Sequence, residues 1–213
     1  MLKVDGWQMA DYEDELLNKF GGGVKKLRGG LAILFIADTH GDLCFHSEIL
    51  DGLRHYDLCI LLGDHSEQEL KIIKSKIDNE KLFGVLGNHD LKDQYTKAGI
   101  RNLSGAKLTI NGIVIGGLGG SFQYKDSPYY PLLSHEKSIE LADRYDEIDI
   151  LISHDKPYLM DTFDIAHDGL KGITHAIYKN HIPFHFHGHL HKQKNVTLKN
   201  GCQSRCIYGV ELI

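Results

Sequence analysis

Asp38 and His40 in ADTHGD (37–42), Asp64 in LGDH (62–65), Asn88, His89 and Asp90 in GNHD (87–90), His154 in SHD (153–155), and His189 and His191 in HGHLH (187–191) are the residues of this chain best suited to chemistry. Each motif alone has an ordinary explanation. Asp and Asn cap helices and settle in turns, two side chains two residues apart on an extended segment share a face, and a single His is commonly a satisfied core residue. The HGHLH cluster is harder to explain that way, because crowded imidazoles are costly unless something organises their nitrogens. Asp, Asn and His are expensive to bury, so their recurrence at the ends of several apolar segments points to a metal centre.

Those apolar segments are what must position the motifs. LAILFIA (31–37), LCILL (58–62), LFGVL (82–86), IDILI (148–152) and IPFHF (182–186) have the branched, uninterrupted character of buried parallel strands, and ligands bind beyond the carboxyl ends of such strands. SEILDGLRH (47–55) and SEQELKIIKSKI (66–77) have helical spacing and open on Ser, a common N-cap. Further helices are predicted over about 135–146 and 168–179. KLTINGIVIGG (107–117) alternates around Asn111-Gly112, a hairpin signal, and the tail VTLKNGCQSRCIYGVELI (196–213) predicts another hairpin that ends the chain in a strand. Parallel units followed by antiparallel hairpins predict an α/β protein with two sheets packed face to face and helices outside. Residues 1–30 stand apart as an N-terminal extension, with a short helix in DYEDELLNKF (11–20) stopped by three glycines, before a domain over 31–213.

A chain of 213 residues, 42% hydrophobic and 25% charged, can bury a full core. Its formal charge of −5 argues against a general nucleic-acid coat, which needs a basic face. No apolar stretch approaches a membrane span, and the first residues do not read as a basic-then-apolar signal sequence. Cys44, Cys59, Cys202 and Cys206 are read as reduced thiols of a cytoplasmic protein, with a Cys202–Cys206 bridge ranked second.

Taken in order, Asp-x-His, Gly-Asp, Gly-Asn-His-Asp, a lone His and Gly-His-x-His, each after an apolar strand, resemble the calcineurin-like metallophosphoesterase superfamily over residues 31–213. The resemblance implies a four-layer αββα sandwich with two mixed sheets and a two-metal site. It implies that Asp38, His40 and His191 hold one ion, that Asn88, His154 and His189 hold the other, and that Asp64 bridges them. Mixed nitrogen and oxygen donors suit Mn²⁺ first, with Fe or Zn²⁺ next, over Ca²⁺ or Mg²⁺. A shared carboxylate suits ions about 3.5–4 Å apart, between which water becomes a hydroxide nucleophile near neutral pH. The implied reaction is attack of that hydroxide on phosphorus, with Asn88 contacting the phosphoryl group and His89 as general acid. Asp42 or Asp90 is the carboxylate expected to support His89.

Two departures limit how far the resemblance extends, and the first makes a phosphoprotein substrate less expected. GDHSE lacks the Asp-Arg-Gly of the serine/threonine protein phosphatases, and SHDKP differs from the His-proline loops of relatives. The expected substrate is a small phosphodiester or phosphomonoester, a nucleotide among the candidates. A nuclease, a protein phosphatase and a non-catalytic scaffold are the alternatives. In GGSFQYKDSPYYP (119–131), Tyr124, Tyr129 and Tyr130 could face a nucleobase or merely cover a sheet edge. Lys125, Lys156 and Lys171 are candidate phosphate contacts, and 157–169 a candidate pocket wall. His65, His185 and His187 are extra imidazoles, of which any could orient a ligand but most are expected to pack or meet solvent. The oligomeric state leaves no trace in the sequence.

Overall fold

The computed structural model describes residues 12–27, 29–41, 50–51, 55–159 and 164–213. The helix expected over 47–55 and Cys44 therefore fall wholly or mostly outside the described residues, as does Asp42.

Two mixed sheets face each other. The first has the order β13-β1-β2-β3-β4, built from Gly209–Leu212 (β13), Ile33–Ala37 (β1), Leu58–Leu61 (β2), Leu82–Gly84 (β3) and Arg101–Asn102 (β4). Strands β1 to β4 run parallel, and β13 closes one edge antiparallel to β1, pairing Phe35 with Glu211. The second has the order β11-β12-β10-β9-β6-β5, from Lys194–Thr197 (β11), Gln203–Cys206 (β12), Phe184–His187 (β10), Ile150–Ser153 (β9), Ile113–Leu118 (β6) and Lys107–Ile110 (β5). Its four central strands are parallel and both edge strands antiparallel. A short parallel pair, Ser121–Phe122 (β7) with Leu132–Leu133 (β8), stands apart.

Alternation along the strands explains the layering. Ile33, Phe35 and Ala37 of β1 join Leu58, Ile60, Ile115, Ile150, Ile152 and Phe186 in a buried layer between the sheets, where the Phe35 and Phe186 rings stack 4.6 Å apart. The intervening Leu34, Ile36, Cys59 and Leu61 face outward onto Leu70, Ile73 and Tyr95, from helices α2 (Glu67–Lys76) and α3 (Gln94–Ala98). The outer face of the second sheet is covered by α4 (His135–Ala142) and α5 (Lys171–Lys179), through Ile173 and Ile177 against Leu118 and Leu151. Strands with both faces buried cannot alternate with polar residues, which is why they read as continuous apolar runs. The result is an αββα sandwich.

Local signals account for several boundaries. Ser66 caps α2 through a full capping box with Glu69. Asn111 and Gly112, both at positive φ (50° and 78°), make the tight turn between β5 and β6. Helix α4 stops at Ala142, short of the expected 146. The tail forms the expected hairpin, β11 with β12, but the final strand then crosses to the other sheet and ties the two together.

Helix α1 (Tyr12–Phe20) lies on the outer face beside α5. Leu16 is buried there, worth about 1.5–3 kcal/mol by the usual transfer cost of a leucine. Glu13 accepts from the Tyr178 hydroxyl (2.6 Å) and the Lys199 amide (3.0 Å). No described helix is long and apolar enough to cross a membrane.

Candidate metal centre

The chemical motifs all follow the carboxyl ends of parallel strands. Asp38 and His40 leave β1, Asp64 leaves β2, and Asn88 and His89 come after β3. From the other sheet, His154 leaves β9 and His189 and His191 leave β10. Asp38, His40, Asp64, His189 and His191 are five of the eight non-glycine residues with positive φ among those described. Asp and His tolerate this region better than branched residues, yet each left-handed residue still costs on the order of 1 kcal/mol. Such strain concentrated in one place marks a site whose geometry the rest of the fold enforces. Two glycines permit the close approach: a Cβ on Gly87 would overlap the Asp64 carboxylate, and one on Gly188 would lie 2.5 Å from Asp38 Oδ2.

The ligand atoms converge as a cation would require. One nitrogen or oxygen from each of Asp38, His40, Asp64 and His191 lies within 4.8 Å of the others. His40 Nε2 and His191 Nε2 are 2.9 Å apart, and His191 Nε2 is 3.8 Å from Asp38 Oδ1. Asp64 Oδ2 is 3.6 Å from His40 Nε2 and also 3.6 Å from His154 Nε2. One oxygen thus stands between the two halves, while Oδ1 is occupied by the His89 amide at 2.8 Å.

The second half of the site has its tautomers arranged. His154 Nδ1 donates to the Leu62 carbonyl (2.7 Å), and burial lowers its pKa to about 4, so Nε2 presents a lone pair. That lone pair faces Asn88 Oδ1 at 2.8 Å, a pairing of two acceptors that a cation held beside them would satisfy. His189 Nε2 donates to the Ala166 carbonyl (2.8 Å), which leaves Nδ1 bare for coordination. Asp38 Oδ1 and Asp64 Oδ2 are buried with no hydrogen-bond partner among the described residues. Burial, then the neighbouring Asp64 carboxylate, raises the Asp38 pKa well above the ordinary range, a penalty that a bound cation reverses. The donor set therefore fits divalent ions.

Asp90 corrects one expectation. It does not support His89: its buried carboxylate accepts from the amides of Asp64 (2.9 Å), His65 (3.0 Å) and Gly87 (2.7 Å) and from Gln94 Nε2 (3.1 Å). It clamps the Asp64 turn to the Asn88 turn, while burial and then Asp64 push its pKa up to about 7. His89 is exposed, its ring edge-on to His40 at 5.3 Å. Beside it opens a cavity of about 220 Å³ lined by His40, Asp64, His65, Ser66, His89 and Asp90.

The three extra imidazoles are all buried, so none meets solvent. His65 Nδ1 bonds Thr39 Oγ1 at 2.7 Å. His185 lies between Ser153 (2.7 Å) and Ser204 (2.8 Å), and His187 donates to the Gly188 carbonyl at 2.9 Å, its pKa pushed down to about 3 by burial. Tyr124 Oη accepts from Asn88 Nδ2 at 3.2 Å. Of the candidate lysines, Lys125 lies over the Tyr124 and Tyr130 rings, Lys171 over Tyr12 and Tyr158 at α1, and Lys156 is buried. Tyr129 is exposed.

Several participants carry no motif. The Ala166 carbonyl that orients His189 lies in a short turn, Ile165–His167, within the 157–169 segment expected to wall the site. In the same turn His167 packs against His189, 4.8 Å between ring centroids, and bonds Asp164 through Nδ1 at 2.6 Å. Buried Asp155 lies 3.9 Å from His189 Nε2, and exposed Tyr208 stacks on His191 at 6.0 Å. The HD pair in SHD hinted at Asp155; the others leave no sequence signal. A larger groove of about 1030 Å³ around Lys25, Asp149 and Lys179 is neutralised by its own ion pairs.

The profile of the calcineurin-like phosphoesterase superfamily domain matches residues 31–202, and the chain belongs to that family. No curated protein matches the chain. Among solved structures it is similar to the phosphopantetheinyl hydrolase of Mycobacterium tuberculosis, at 13% identity over 85% of this chain and 95% of that one, TM-score 0.59. It is similar to a dimetal phosphatase from Danio rerio at 12% identity over 84% and 87%, TM-score 0.56. A 5'-nucleotidase from Candida albicans matches at 14% identity, covering 88% of this chain and 47% of that one, TM-score 0.55. At these identities the likeness establishes the fold.

Proposed function

We propose that the protein is a dinuclear metal-dependent hydrolase of small phosphate esters, mono- or diester, with nucleotides among the candidate substrates. The observation that carries this reading is one buried oxygen, Asp64 Oδ2, without a hydrogen-bond partner among the described residues and at 3.6 Å from an imidazole of each half-site. Asp38, His40 and His191 would hold one ion and Asn88, His154 and His189 the other, with Asp64 shared and Mn²⁺ the preferred metal ahead of Fe or Zn²⁺. When bound, the ions supply Lewis acidity, neutralising phosphoryl charge and lowering the pKa of water.

The chain's own residues supply the rest. Asn88 has its amide NH₂ beside the centre, with Nδ2 also donating to Tyr124 Oη, suited to contact the phosphoryl oxygens. His89 has its backbone fixed by Asp64 Oδ1 and its ring in the open cavity, suited to hold the proton for the departing oxygen. Neighbours of the same fold are described as a phosphatase and a nucleotidase, which supports small esters. The formal charge of −5 ranks a nuclease lower, and GDHSE ranks a protein phosphatase lower. Cys59, Cys202 and Cys206 are buried free thiols without a Cys202–Cys206 bridge, which suits a reducing compartment, and we place the protein in the cytoplasm. Residues 1–30 stay an extension outside the chemistry.

Asp64→Ala tests the shared ligand. Elemental analysis of the manganese-loaded variant should show both ions lost together; full occupancy, or loss of only one, contradicts bridging.

A further inference from the structure

The Tyr124 hydroxyl carries a donor that none of the described residues uses. Its loop is pinned at the root by β7 and β8, where the Gln123 amide donates to Leu133 O and the Tyr124 amide to Phe122 O, both at 3.0 Å. The loop is also tied to the strand-end turn that carries Asn88: the Gly120 amide donates to Leu86 O (2.7 Å), and the Lys92 amide to Tyr129 O (3.1 Å). The half-buried ring is steadied by Lys125, whose Nζ lies 5.1 Å from its centroid and 4.6 Å from that of Tyr130. Tyr124 is therefore held against the metal centre by backbone bonds rather than left on a free tip.

A phenol has one proton to give and lone pairs with which to accept. Tyr124 Oη accepts from Asn88 Nδ2 at 3.2 Å, and among the described residues its own proton meets no acceptor. The Asn88 amide directs Oδ1 toward His154 Nε2 (2.8 Å), so its NH₂ and the Tyr124 hydroxyl occupy the opposite side of the amide plane's fork. An anionic oxygen arriving beside Asn88 would find a neutral donor already oriented.

We propose that Tyr124 contacts the substrate, its O–H donating to a non-bridging phosphoryl oxygen of the ester bound at the centre. This rests on the phosphoesterase reading and adds a specific recognition contact to it. A phenol brings no charge, so the contact serves mono- and diesters alike and selects for phosphate geometry rather than for net charge.

Inorganic phosphate is the probe. Its binding to manganese-loaded enzyme and to manganese-loaded Tyr124→Phe is measured by titration calorimetry, with Mn²⁺ affinity and melting temperature measured in parallel. The proposal expects phosphate affinity to fall about tenfold, the ordinary effect of one hydrogen bond to a charged acceptor, with Mn²⁺ affinity and melting unchanged. Equal phosphate affinity in the two proteins overturns it. So does a matching loss of Mn²⁺ affinity, which makes the hydroxyl only a prop for Asn88, and so does absence of phosphate binding to the unaltered protein. Hydrolysis of 4-nitrophenyl phosphate is scored separately. No turnover together with Tyr124-dependent phosphate binding sinks the hydrolase reading and upholds the contact; turnover with equal phosphate binding does the reverse.

Discussion

Asp64 and His89 divide the work at the residue scale. Asp64 has one oxygen committed to the backbone of the following motif and one left bare between imidazoles, which is the behaviour of a ligand. His89 has its main chain fixed and its ring exposed, which is the behaviour of a group that meets what enters the cavity. His89→Ala should therefore keep both ions by elemental analysis and lower kcat by about 10²–10⁴-fold on esters with alkoxide leaving groups. The loss should be much smaller on 4-nitrophenyl phosphate, whose leaving group needs no proton. Equal losses on both substrates would remove His89 from the general-acid role. Asp90 teaches a different lesson: an acid next to a candidate catalytic residue is equally able to serve the backbone, and four N–H donors converge on it here.

At the scale of elements, the strands deliver the candidate ligands and buried histidines hold the strand ends in place. His185 of β10 lies between hydroxyls from β9 and β12, stacked on His187 at 5.2 Å. Burial, and next the His187 ring, lower its pKa well below the ordinary value. The folded chain keeps this group neutral while the unfolded chain protonates it below about pH 6.5. Its contribution to stability is therefore complete above that pH and is lost as pH falls through it toward the folded pKa. In metal-free protein, urea unfolding should lose stability below pH 6.5 with a slope that approaches about 1.4 kcal/mol per pH unit for each such histidine near pH 5. His185→Asn should flatten that slope by close to one proton, and an unaltered slope would show that His185 is not the group. Much at this scale was legible beforehand, since fully buried parallel strands announce themselves as apolar runs and Ser66 and Asn111-Gly112 announce their cap and turn. The two-residue strands β4, β7 and β8 were not, because a period needs more residues than that to register. Nor was the Ala166 carbonyl behind His189, because a main-chain acceptor leaves no mark on residue type.

At the scale of the whole molecule, the site lies where strand ends from both sheets meet, so its ions would fasten one half of the sandwich to the other. β13 fastens them by backbone, pairing with β1 after the chain has left β12. The tail's pattern showed a strand but could not show which sheet it would join, since either edge accepts an antiparallel partner. The order of motifs was the most readable feature because it encodes which strands end together. Binding that favours only the folded state stabilises by mass action, about 2.7 kcal/mol at a hundredfold excess over Kd. Mn²⁺ should thus raise the melting temperature by several degrees over chelator-treated protein, and Asp64→Ala should abolish the shift. An equal shift in that variant would place the ion elsewhere.

Anomalous scattering from crystals grown with Mn²⁺ addresses the central claim most directly. Two peaks about 3.5–4 Å apart are expected, one among Asp38, His40 and His191 and one among Asn88, His154 and His189, with Asp64 Oδ2 between them. A lone peak, or density away from Asp64 in fully loaded protein, would contradict the account.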